Sequence, residues 1–165
     1  MGSIPVMLCG KNPTMASNFS DAMKPEYDVV HVCHSLEAFK TEIPALVNRT
    51  SPPKPSSGMG SNNDQAAHDY QVPKAIVVGK GFSEDEIKEM QSIESLKGKV
   101  VWLLPDTGKF TWGMIGKAVV TGGTALPGVI AERAKKCLES NGMVAGKERD
   151  GDDVGGGEES KVWYF

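Results

Sequence analysis

The sequence predicts an α/β domain of three layers, with four parallel strands covered by helices on both faces. Three observations lead there. Four short runs rich in Val and Ile punctuate the chain: IPVMLC (4–9), YDVVHVC (27–33), KAIVVG (74–79) and KVVWLL (99–104). The middles of the last three are almost continuously apolar, the pattern of strands buried on both faces of a parallel sheet. Segments with helical spacing lie between and after the runs, and regular strand–helix alternation implies parallel pairing with right-handed crossovers.

Each element has its own signal. After the first run, Met15, Phe19, Ala22 and Met23 recur at helical intervals from a start near Thr14. After the second run, Leu36, Phe39, Ile43 and Leu46 do the same. The third helix opens with FSEDEIKEM, in which Ser83 is an N-cap and Glu86, three residues on, completes a capping box. Ile87, Met90 and Ile93 share one face beyond it. The fourth, PGVIAERAKKCLESNG, begins with Pro127, carries Ile130, Ala134, Cys137 and Leu138 on one stripe, and stops at Asn141-Gly142. This is a Rossmann-like or flavodoxin-like sandwich, a single domain over residues 1–146.

Two stretches break the alternation. Residues 48–73, rich in Pro, Ser, Gly and Asn, read as a flexible insertion lengthening the path into the third strand. Residues 147–165 form an acidic, Gly-rich tail that ends in VWYF. Idle exposed aromatics are costly, so KVWYF is expected to add a fifth, edge strand. The alternative is a docking peptide for a partner or for a second copy of the chain in a homodimer.

Composition narrows the function classes. The 165 residues are 39% hydrophobic and 24% charged, as in soluble globular domains, and bury a core without staples. A net charge of −3 and no basic stripe speak against a nucleic-acid binder. No signal segment or membrane span is expected. Three cysteines, Cys9, Cys33 and Cys137, cannot form a paired framework and read as reduced thiols of a cytoplasmic protein.

Ligands of open parallel sheets bind outside the carboxyl ends of the strands, where strand order reverses. The first turn, CGKNPTMAS, lies there and leads into a helix N-terminus, a natural anion site. Gly10 makes the turn, Lys11 adds charge, and Asn12 and Thr14 add polar donors; Thr14 could cap the helix or bond a phosphate oxygen. Against G-x-x-G-x-x-G, the three positions hold Gly10, Pro13 and Ala16, and Pro13 offers no N–H in place of the middle glycine. Residues 4–47 resemble the opening βαβ unit of Rossmann-type NAD(P)-binding proteins, loosely the NmrA-like branch. The resemblance implies a dinucleotide held at this turn. At the tip of the second run stand His34 and Ser35, with no carboxylate before Glu37. That disfavours NAD, whose ribose hydroxyls want Asp or Glu there, and fits the 2′-phosphate of NADP. A third loop, VVGKGFSED, brings Gly79 and Lys80 to the same edge. The expected ligand is therefore a small, phosphate-bearing anion, NADP or another nucleotide.

Catalytic sets are incomplete. Near Lys117, the lysine placed as a short-chain reductase would place its own, Tyr-x-x-x-Lys is not met: Gly113 stands four residues before it and no tyrosine lies between Tyr70 and Tyr164; the Walker pattern does not occur. The acidic positions of a phospho-receiver domain read GKN and GKG. Cys9 lacks the arginine that a phosphatase loop needs six residues on; Met15 stands there. His31, His34 and His68 are dispersed, and no metal set is expected, although His31 and Cys33 share one strand face. Asp106, at the carboxyl edge after the fourth run, is the one candidate acid/base, with Lys109 and Trp112 in a long loop behind it. The first expectation is thus a ligand-binding sensor or accessory domain without chemistry. The alternatives are a small enzyme using Asp106 on an anionic metabolite, or an interaction module docking through VWYF.

Overall fold

A computed structural model describes residues 3–79, 81–105, 126–144 and 161–165. Five strands, β1 Ile4–Cys9, β2 Tyr27–Cys33, β3 Ala75–Val78, β4 Val101–Leu104 and β5 Val162–Tyr164, form one sheet in the order β2-β1-β3-β4-β5. Every pairing is parallel. This is the flavodoxin-type order of doubly wound folds, which places the switch point between β1 and β3. Among the described residues the α-helices are α1 Pro13–Met23, α2 Leu36–Val47, α3 Glu84–Gln91 and α4 Leu126–Ser140.

Alternation along the strands divides the core in two. Val6, Leu8, Val77 and Leu103 pack under α1 and α4 with Phe19, Met23, Ala134 and Leu138. Met7, Cys9, Ile76, Val78 and Trp102 face α2 and α3 with Phe39, Ile43 and Met90. Trp102 is only 2% exposed and leans on Phe39 at a ring separation of 5.9 Å. A right-handed β4–β5 crossover would put its helix on the α2–α3 side. Instead α4 lies beside α1, and much of that connection (106–125 and 145–160) lies outside the described residues.

Local chemistry sets the helix ends. Asn12, rather than Thr14, caps α1: its side-chain oxygen accepts from the Met15 amide at 3.1 Å, and Pro13 takes the first helical position, where no N–H is required. Ser35 caps α2 through the Ala38 amide. At α3 both halves of the expected capping box form, Glu86 N–H to Ser83 Oγ and Ser83 N–H to Glu86 Oε2.

The chain terminus completes the sheet. Trp102, Leu103 and Leu104 of β4 pair with Val162, Trp163 and Tyr164. Phe165 is buried on the α1–α4 side, and its amide donates to the Leu104 carbonyl at 3.1 Å. The 48–73 stretch, polar as it is, lies along β2 and is laced to it. Ser57 Oγ donates to the Val32 carbonyl, Ser61 Oγ to the Asp28 carboxylate, and buried Asn62 makes two bonds to the Gln71 backbone. Gly60 is the point of closest approach: at φ +97° a Cβ would stand 2.4 Å from the Val30 carbonyl oxygen. Val30 is also where the β1–β2 register slips. Val6 pairs with Val29 but Met7 pairs with His31, so β2 carries one extra residue.

Candidate functional site at the β1–β3 switch point

Seven of the residues singled out from sequence meet at the carboxyl rim of the sheet: Gly10, Lys11, Asn12, Thr14, His34, Ser35 and Gly79. The ladder runs one step past the strands. The Gly10 amide donates to the Cys33 carbonyl at 3.0 Å and the Gly79 amide to the Cys9 carbonyl at 2.8 Å, so three loop mouths are stitched side by side. A Cβ on Gly79 would come within 3.2 Å of the Cys9 carbonyl oxygen, tight enough that a larger residue would press the β3 loop away from β1.

Lys11 spans that gap. Its Nζ lies 3.1 Å from both Glu86 oxygens and 5.0 Å from the centre of the Phe82 ring, while the side chain stays 44% exposed. The Ser83 backbone amide, and then Lys11, hold the Glu86 carboxyl below its usual range. The main-chain N–H groups of Lys11, Asn12 and Thr14 make no hydrogen bond among the described residues, which leaves three donors around the start of α1. His34 Nδ1 meets the Gly10 carbonyl at 2.6 Å. Nδ1 then carries the proton, so in the neutral ring Nε2 is an acceptor, and His34 can donate from Nε2 only as imidazolium. Ser35 Oγ accepts from the Ala38 amide, yet its own O–H remains a donor.

Lys80, Asp106, Lys109 and Trp112 lie outside the described residues. Cys9 is fully buried, and burial pushes its thiol far above the range where a thiolate forms. A nucleophilic role for it has no physical basis here. A cleft of about 250 Å³, lined by Leu46, Arg49, Tyr70 and neighbouring residues, opens at the opposite end of α2 from Ser35. It is remote from the β1–β3 switch point.

One buried charged residue was not singled out from sequence. Glu42, on α2 between Phe39 and Ile43, is 3% exposed and meets His31, with Cys33 alongside. Its signal was a carboxylate on an otherwise apolar helical stripe.

The class defined by these features is an α/β domain of flavodoxin-type strand order with a polar, glycine-lined rim. Compared with known proteins, the chain is 26% identical over 151 residues to Kojic acid related protein 6 of Aspergillus oryzae, an alignment covering 89% of this chain and 83% of that one. No family model matches it, and no solved structure matches it. Among the described residues no helix is long and apolar enough to cross a membrane.

Proposed function

We propose that the carboxyl rim binds a phosphate-bearing small molecule of the NADP or nucleotide class. The observation that carries this reading is the grouping of Lys11 with the three unbonded amides of Lys11, Asn12 and Thr14 beside the β1–β3 switch point. A phosphate there would meet a full positive charge, main-chain donors and the positive end of α1. The tip of β2 presents His34 and Ser35 rather than a carboxylate, which favours a 2′-phosphate over free ribose hydroxyls.

The pairing of Lys11 with Glu86 bears on strength. An incoming phosphate takes the lysine from Glu86, which keeps its bond to the Ser83 amide. Binding therefore exchanges one exposed ion pair for another, and a modest affinity follows. Phe165, buried within the chain's own core, speaks against release of the terminus as a docking peptide, although Tyr164 beside it stays 56% exposed. The test is thermal unfolding with NADPH, NADH, ATP and inorganic phosphate. A Tm increase with NADPH that exceeds that with NADH supports the reading, and no shift with any of the four refutes it.

A further inference from the structure

The bulge at Val30 turns His31 and Cys33 toward α2, where Glu42 reaches between them. One donor atom from each residue lies within 4.8 Å of the others, and all three residues are buried. We propose that His31, Cys33 and Glu42 form a binding site for one borderline-soft divalent transition metal ion of the zinc class.

The donor set suits that ion. Imidazole nitrogen, thiolate and carboxylate are the three ligand types zinc takes up, at roughly 2.0–2.3 Å. Ligand atoms in a tetrahedral site stand roughly 3.3–3.8 Å apart, so the three need to draw in by up to about 1.5 Å. Thiolate and carboxylate together neutralise a divalent ion, which suits an apolar surrounding of Phe39, Ile43 and Leu46. The ligand shell behind them is also in place. Ser56 donates to Glu42 twice, N–H to Oε1 at 2.8 Å and Oγ–H to Oε2 at 2.7 Å, fixing the carboxylate as ligating carboxylates are commonly fixed. His31 Nε2 lies 3.1 Å from Glu42 Oε1, and Nδ1 is a buried lone pair with no partner. An ion held between Nε2 and Glu42 replaces that hydrogen bond, and the ring proton moves to Nδ1.

Ser56, which donates to Glu42 from both amide and hydroxyl, is itself exposed. Binding removes the Cys33 thiol proton to solvent, so one proton is released per ion and no electron moves. The assignment does not rest on a ligand at the rim, although Cys33 of β2 adjoins it: the Cys33 carbonyl accepts from the Gly10 amide.

Cobalt(II) titration of the purified, chelator-stripped full chain tests it. The expected result is one ion per chain, a thiolate-to-cobalt band in the near ultraviolet and a Tm that rises with zinc. Cys33→Ser removes the band and His31→Gln weakens binding at least tenfold, whereas Cys9→Ser and Cys137→Ser change neither. Should Cys33→Ser fail to fold, X-ray absorption of the zinc-loaded wild type decides, with one sulfur at ~2.3 Å among nitrogen and oxygen neighbours. No thiolate band, a band that survives in a folded Cys33→Ser variant, or a zinc shell without sulfur overturns the site. The cluster is then only a hydrogen-bonded fastening for the segment around Ser56.

Discussion

Lys11, at the tip of β1, reaches across the switch point to place its Nζ 3.1 Å from both carboxylate oxygens of Glu86 on α3. The pair ties the β1 loop to the start of α3, and in the proposed function it competes with the phosphate for the lysine. Glu86→Gln separates the two roles, because glutamine still completes a capping box while giving up the charge. We expect this variant to bind the nucleotide about two- to fivefold more tightly, because Lys11 is no longer held in an exposed ion pair. Lys11→Ala should weaken binding about tenfold, as removal of a charge-assisted hydrogen bond does. Isothermal titration calorimetry reads both, and equal affinities in all three proteins would remove Lys11 from the site.

Tyr27 closes the other end of the molecule. Its buried hydroxyl donates to the Met143 carbonyl at 2.6 Å, tying the start of β2 to the chain just beyond α4. Burial, with Glu139 and Glu26 adding to it, pushes the phenol up to about 12. In the unfolded chain a tyrosine ionises near 10, at roughly its ordinary value. The native state therefore holds the proton longer, and this contribution to stability is complete below that pH and lost as pH rises toward the folded value. Tyr27→Phe should cost about 1–3 kcal/mol at neutral pH by orphaning the carbonyl, and should flatten the alkaline decline. Urea unfolding from neutral to strongly alkaline pH measures both; an unchanged alkaline slope would contradict the assignment.

Gly60 joins the 48–73 stretch to the sheet. Alanine there meets the Val30 carbonyl at 2.4 Å and is held at φ +97°, so backbone strain adds to the clash. We expect Gly60→Ala to destabilise the protein by about 2–4 kcal/mol and to speed proteolysis between residues 50 and 66. A variant as stable and as resistant as the wild type would mean the segment is not seated on β2.

Most of the fold was legible because its signals are local. The apolar runs gave β1 and β2 to the residue, and Ser83 with Glu86 announced α3 through capping chemistry that needs no tertiary contact. The rim was legible for a similar reason: in parallel α/β alternation, the loops that follow strands share one edge. Strand order was not, since hydrophobic pattern carries no record of which strand lies beside which. The meeting of His31 with Glu42 was hidden for a sharper reason. Strict alternation puts Tyr27, Val29, His31 and Cys33 on a single face, and only the extra residue at Val30 turns the last two to the α2 side. Composition read 48–73 as a flexible insertion, and it carries no record of the bonds that its serines and Asn62 make to β2, α2 and Gln71.

The central claim is that the rim at the β1–β3 switch point receives the phosphate. Amide NMR titration of the ¹⁵N-labelled chain with NADPH tests it most directly. Saturable shifts should concentrate at Gly10, Lys11, Asn12, Thr14, His34, Ser35 and Gly79, and should diminish in Lys11→Ala. Spectra that do not move, or shifts that gather instead around Arg49 and Tyr70 at the far end of α2, would contradict it.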